Sequence, residues 1–368
     1  MNLFEDYGYK SAEITEKVSH AWHTLFLGKP TERIFFEAAP DMGYVLDTGN
    51  NDVRTEGMGF GMMVSVQLDK KEVFNRLWKW VKTYMEIPEG NAKGFFYWSC
   101  TTDGSPIVET PRADGEQYIA MALLFAAHRW GNGKGIFNYE KEALKLLHNM
   151  LHSSHPLWNT KNHLVRGDFD ADYSDPSYNM PHFYELFAMF ANIKDSGFWN
   201  NAASASRAYI VQSCDPKTGM SAEFAQYDGR PLPLNQHGTF FSQSYRVLSN
   251  IGLYSMWFGD NPDLSLIAQR LVAFFDGKAV QEFMDYKIDG TPRKRRARHP
   301  VGLCATLAEA ALAIERRRDP ISPKTRAQAK RAVKRFWETP LRTGKRRYYD
   351  NCLYLSALLA LSGNYKVY

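Results

Sequence analysis

The sequence predicts an all-α protein, six helical hairpins that close on themselves. Two observations predict it. Twelve helix-length segments can be read along the 368 residues, and charged, amphipathic segments alternate with nearly uncharged ones made of small and aromatic residues. The second, fourth, sixth, eighth, tenth and twelfth begin near Glu56, Asp114, Pro181, Phe241, Pro300 and Tyr348, each after a stretch dense in Asp, Tyr, Trp, Arg or His. A helix with one apolar stripe lies on a surface, whereas a helix apolar all round is buried all round. The alternation therefore implies an outer and an inner shell, with the N-termini of the inner helices and the long loops converging on one polar cleft.

The first segment is of the outer type. Ser11 is placed to cap it, Ile14, Val18, Ala21, Trp22 and Leu25 form one stripe, Glu13, Glu16 and Lys17 occupy the opposite face, and Gly28 with Pro30 ends it. The second, Gly57 to Val66, carries no charge on any face, and its Gly57, Gly59 and Gly61 cost helix propensity, which suggests close helix-to-helix approach. A phosphate loop is disfavoured because no strand precedes it and the dinucleotide spacing fails. The third, about 70 to 86, opens with Asp69 and Glu72 as a capping-box pair. The fourth, from Tyr118 to Ala127, and the last, from Leu353 to Leu361, are again uncharged, and the eleventh, about 323 to 338, is rich in Lys and Arg with Ser322 as cap and Pro323 at its first position. Arg33 to Glu37 and Tyr44 to Asp47 are short strand-like stretches expected to decorate the loop face.

Size and composition narrow the function classes. No linker, composition shift or low-complexity run divides the chain, so residues 1–368 are read as one large domain. The aromatic content of 14%, with 20 Tyr and 9 Trp, exceeds what a core needs and points to rings lining a groove for flat ligands such as sugars or bases. The net charge of +5 is modest, and the single basic run, Arg293 to Arg298, reads as a solvated loop rather than a nucleic-acid patch. Cys100, Cys214, Cys304 and Cys352 have no metal spacing and read as free thiols of a reducing compartment. The polar N-terminus and the lack of an apolar run of about 18 residues lead to the expectation of a cytoplasmic protein with no membrane partner. A monomer without cofactor or metal is expected.

Three polar clusters carry the chemistry. In Asn51 to Gly59, Glu56 stands at the start of an inner helix beside Asp52 and Arg54. Either it is a first-turn glutamate stabilised by the helix dipole, or it is a catalytic acid whose pKa burial or a neighbour such as Asp114 must raise. In Pro111 to Tyr118, Asp114 is placed to cap the fourth helix with Gln117 closing a capping box, or to touch a ligand. The preceding Phe95 to Cys100 offers a ring platform. Ser174 to Glu185 brings a further cluster to the sixth helix. No His-Glu-x-x-His, metal triad or Gly-x-Ser-x-Gly elbow occurs, so two carboxylate-type residues flanking an aromatic cleft point to glycosidic-bond hydrolysis.

Val53 to Met63, Ala113 to Glu116, Ser174 to Tyr178, Phe240 to Val247 and Arg346 to Tyr354 together resemble glycoside hydrolase family 8, nearly end to end. Within it the chain is most similar to the reducing-end xylose-releasing exo-oligoxylanases. The resemblance implies an (α/α)6 barrel, inversion at the anomeric carbon and a xylo-oligosaccharide as the substrate. It implies that Glu56 protonates the leaving oxygen, that Asp114 grips and distorts the sugar, and that Tyr178 helps hold the attacking water. It makes Trp98 a stacking platform and the Arg298-His299-Pro300 loop the closure of the reducing-end side, with Arg54, Tyr349 and Asp350 among the sugar-binding groups. The general base is where the pattern is broken: family members of this type have Asp where this chain has Gln243, His where it has Thr239 and Asp where it has Tyr254. An amide cannot take a proton from water near neutral pH. Another carboxylate, with Asp114 or Asp228 nearest, would then serve; otherwise the protein binds without turnover or acts on a different substrate. An active glycosidase ranks first because acid, gripping aspartate and tyrosine are retained. Glu56 and Gln243 are expected to face each other across a gap of roughly 6.5 to 9.5 Å.

Overall fold

In the computed structural model, which describes residues 1–368, the main helices are α1 (Ser11–Trp22), α2 (Thr55–Gln67), α3 (Lys71–Trp80), α4 (Ala113–Trp130), α5 (Tyr139–His152), α6 (Pro181–Phe190), α7 (Ile193–Ser213), α8 (Arg246–Phe258), α9 (Pro262–Phe274), α10 (Pro300–Glu309), α11 (Pro323–Glu338) and α12 (Arg347–Leu361). Two short helices, Leu3–Asp6 and Ala311–Glu315, accompany α1 and α10. Each even-numbered helix packs on the next even-numbered one, α2 on α4, α4 on α6, and so on to α12, which returns to α2. That closed ring is the inner shell of an (α/α)6 barrel.

Composition explains the shells. Every residue of α2 and of α12 is buried, whereas α11 buries only Ala329, Ala332, Val333 and Phe336 on one stripe. The glycines of α2 mark close approach: a Cβ on Gly59 would lie 2.6 Å from Tyr118 Cβ of α4, and one on Gly57 would lie 2.7 Å from the Tyr348 ring of α12. A single core of 102 buried residues runs from Leu3 to Tyr365. All four cysteines are free and buried, and no helix is long and apolar enough to cross a membrane.

The strand-like loops do more than decorate. β1 (Phe35–Ala39), β2 (Met42–Asp47), β3 (Asp52–Arg54), β4 (Ser99–Cys100) and β5 (Pro106–Val108) form one antiparallel sheet in that order. Arg54 pairs in register with Ser99, so β3 runs straight into α2 beside the Trp98 loop. Two small hairpins follow, β6 (Trp158–Asn159) with β7 (Leu164–Val165), and β8 (Met284–Tyr286) with β9 (Pro292–Arg296). The basic run is therefore mostly strand rather than loop. Arg295 is held by Asp285 of the facing strand at 2.6 Å, and Arg293 donates to the Thr239 hydroxyl at 3.2 Å.

Local capping patterns yielded to tertiary partners. Ser322 caps α11 as expected, accepting from the Thr325 amide. Ser11 is instead the first residue of α1, which has no side-chain cap. Asp69 precedes the cap position Lys70, and its carboxylate accepts from Trp130 and Arg129 while Glu72 pairs with Arg76. Asp114 lies inside α4, which is capped by no side chain, and Gln117 donates to the Tyr178 carbonyl at 3.1 Å.

Candidate active site

The inner-helix N-termini surround a cavity of about 340 Å³, lined by polar and aromatic groups that include Arg54, Glu56, Trp98, Glu223, His237, Gln243, Arg298, His299, Tyr348 and Tyr349. Arg54 is fastened by Asp52 at 2.9 Å and Asp47 at 3.3 Å, and its guanidinium lies 4.6 Å from the Trp98 ring centre. Glu56, in the first turn of α2, is buried. Its Oε1 accepts from the Tyr348 hydroxyl at 2.9 Å, and its Oε2 lies 3.4 Å from Arg246 Nη1. Burial pushes this carboxyl above the usual range; Arg246 opposes the shift and Asp114 adds to it. The helix dipole is thus overcome by desolvation.

Arg246 begins α8 and is buried at the floor of the cleft. The same Nη1 that approaches Glu56 donates to Asp114 Oδ2 at 2.8 Å, and Nη2 reaches the Ser177 hydroxyl at 3.4 Å. Its guanidinium lies 5.4 Å from the ring centre of Tyr178. Asp114 and Tyr178 are buried around this arginine, below the cavity and not among its lining residues, and the second Asp114 oxygen, Oδ1, meets no protein donor. Arg246 falls within the Phe240 to Val247 motif, which assigns it no role. A lone charge opening an otherwise apolar inner helix was the available signal.

Gln243 lies in a short 3-10 turn, Ser242–Tyr245, leading into α8. Its side chain lines the same cavity as Glu56, and its Oε1 meets no protein donor. Its backbone N–H donates to Glu223 Oε1 at 2.8 Å, while His237 Nδ1 donates to Glu223 Oε2 at 2.6 Å. Hydrogen bonding to Glu223 holds the His237 imidazole above its usual pKa. Glu223 is buried yet lines the cavity, and no helix start or motif singled it out in the sequence.

His299 lines the opening with its Nδ1 hydrogen-bonded to Asp350 Oδ2 at 2.9 Å and its ring edge-on to Tyr349 at 4.7 Å. Asp350 does not line the cavity. It is fully buried, taking the Gly302 amide at 2.8 Å and Arg342 at 2.6 Å as well as His299, so it orients the histidine rather than touching a sugar. Tyr349 donates to the Ser242 carbonyl at 3.3 Å, tying this wall to the Gln243 turn. One further expectation is corrected: Asp228 is exposed and bound to Arg230 at 2.7 Å, outside the cavity. Tyr254 packs by Arg207 and Phe258. The metal-type side chains that approach one another, His148, His152 and Asp195, belong to α5 and α7 and not to the cleft.

The family model for glycosyl hydrolases family 8 matches residues 39–360. The chain belongs to glycoside hydrolase family 8. Across its whole length this family 8 chain is 48% identical to a reducing end xylose-releasing exo-oligoxylanase of Halalkalibacterium halodurans, covering 94% of that protein. It superposes on Rex8A from Paenibacillus barcinonensis complexed with xylose with a TM-score of 0.96 at 46% identity, covering 100% of this chain and 97% of that one. A reducing-end-xylose releasing exo-oligoxylanase mutant complexed with xylobiose matches with a TM-score of 0.95 at 48% identity, over 99% and 96% of the two chains.

Proposed function

We propose that this family 8 chain, acting as one unit over residues 1–368, is an inverting hydrolase of short β-1,4-xylo-oligosaccharides that releases xylose from the reducing end. The observation that carries the reading is Glu56: a carboxyl lining a polar cavity, its pKa raised by burial, and steadied by Tyr348 and Arg246. A general acid must be protonated before the leaving oxygen departs, and a raised pKa serves that need. Trp98, which lines the cavity, offers an apolar face for a pyranose ring. The small cavity, near the lower end of the roughly 300 to 1,000 Å³ typical of ligand sites, fits a short substrate. His299, fixed by Asp350, supplies a wall against which a reducing end can stop.

A second reading, a xylo-oligosaccharide-binding protein with little or no turnover, is favoured by one observation, the amide of Gln243 where a base is needed. Incubating xylotriose and xylotetraose with a high protein concentration and separating the products by chromatography decides between them. Xylose release supports the hydrolase; binding by calorimetry without xylose release establishes the binder.

A further inference from the structure

Inverting hydrolysis needs a carboxylate on the side of the sugar away from the acid, because water must attack opposite the leaving oxygen. Gln243 supplies no base. The acidic residues lining the cavity are Asp47, Glu56 and Glu223. Asp47 is committed to Arg54 at 3.3 Å, the Gly49 amide at 2.8 Å and the Asn50 side chain at 2.7 Å, on the same flank as the acid. Asp114 shares one arginine nitrogen with Glu56 and so sits beside the acid, not across from it. Asp175 lies beneath the floor, where burial pushes it up to about 8 and keeps it protonated.

Resting on the reading of Glu56 as the acid, we propose that Glu223 is the general base of this enzyme and that Gln243 holds the attacking water for it. The backbone N–H of Gln243 clamps Glu223 Oε1, which brings the carboxylate to the turn where the base is needed. Each carboxylate oxygen accepts one protein hydrogen bond and keeps a further lone pair. The Gln243 side chain lines the cavity, and its Nε2 can donate to the water while Glu223 takes a proton from it. In the step, the water oxygen bonds to the anomeric carbon and its proton passes to Glu223. The bond from that carbon to the leaving oxygen breaks with its electron pair, and the Glu56 proton completes the released xylose. Glu223 releases this proton to solvent once the product has left, its Oε2 keeping the hydrogen bond from His237. Glu56 is reprotonated from solvent, so one water is consumed per bond.

Glu223→Gln keeps the shape and the acceptor for the Gln243 amide. It should lower kcat on xylotriose about a hundred- to ten-thousand-fold and leave xylobiose binding by calorimetry within a few-fold. A Glu223 that merely staples the turn would keep both binding and activity in this variant. Glu223→Ala with added azide provides the second readout, since azide needs no base: it should restore release of xylose and form xylobiosyl azide of inverted configuration. A Glu223→Gln variant keeping more than about a tenth of the rate, or a folded Glu223→Ala variant giving no azide product, overturns the assignment. Those results leave the hydrolase reading intact if the unmodified enzyme releases xylose; failure of the unmodified enzyme to release xylose overturns both.

Discussion

At the residue scale, the cleft assigns separate work to groups that look alike in the sequence. Glu56 and Glu223 are both buried glutamates, yet Glu56 is held by a phenol and a partly shared arginine, while Glu223 accepts from a backbone amide and an imidazole. Glu56→Gln should abolish xylose release while sparing oligosaccharide binding, because the amide keeps the shape but has no proton to give; unchanged turnover by chromatography would remove Glu56 from the mechanism. Gln243→Asp should leave the rate unchanged or lower it, since a second carboxylate would stand beside Glu223 and each would disfavour ionisation of the other. A rise of about a hundredfold, the scale of a restored base, would instead mean that Gln243 alone was missing. Glu56 and Gln243, which line the cavity, stand in compact motifs at helix starts, and Tyr178, from a motif of the same kind, is buried beside Arg246 beneath it. Glu223 was not legible in the sequence, since it lies in an irregular stretch and acquires its meaning only when His237 and the Gln243 turn fold over it. Asp350 was misjudged for the converse reason: its motif is adjacent to the cleft, but its carboxylate points to Arg342, Gly302 and His299.

At the element scale, periodicity proved more readable than capping. Whether a segment is apolar all round depends on its own composition, so the inner and outer helices could be told apart; the cap pair of Asp69 with Glu72 is broken because Trp130, distant in sequence, binds Asp69 while Arg76, one turn on, binds Glu72. The glycines of α2 connect packing to chemistry. Gly59→Ala would drive a Cβ to 2.6 Å from Tyr118 Cβ, and such overpacking should cost about 1 to 3 kcal/mol, measurable as a lowered denaturant midpoint. Gly57→Ala meets Tyr348, the phenol on Glu56. It should therefore reduce kcat by more than its loss of stability accounts for, with far-ultraviolet circular dichroism unchanged; a variant as active as the parent would uncouple Tyr348 from the acid.

At the scale of the whole molecule, the closed ring buries charge deep between inner helices as well as in the cleft. Glu309, at the C-terminal end of α10, is fully buried, neither oxygen meets a protein donor, and burial pushes its carboxyl up to about 7. A group whose folded pKa is raised favours folding below its unfolded pKa and loses that contribution as pH rises through the folded value. The loss should therefore accumulate from about pH 4.5 to about pH 7, on the order of a few kcal/mol at 1.4 kcal/mol per unit. Glu309→Gln should flatten this fall in Tm over that window; an identical pH dependence in the variant would show that Glu309 is not its source.

An intact acid and a relocated base should still cut a xylo-oligosaccharide next to its reducing end. Nuclear magnetic resonance of xylotriose carrying carbon-13 only in its reducing-end unit follows that cut. Labelled xylose and unlabelled xylobiose are expected, the xylobiose appearing first as the α anomer, as inversion of a β bond requires. Unlabelled xylose with the label left in xylobiose, or xylobiose formed first as the β anomer, would contradict it.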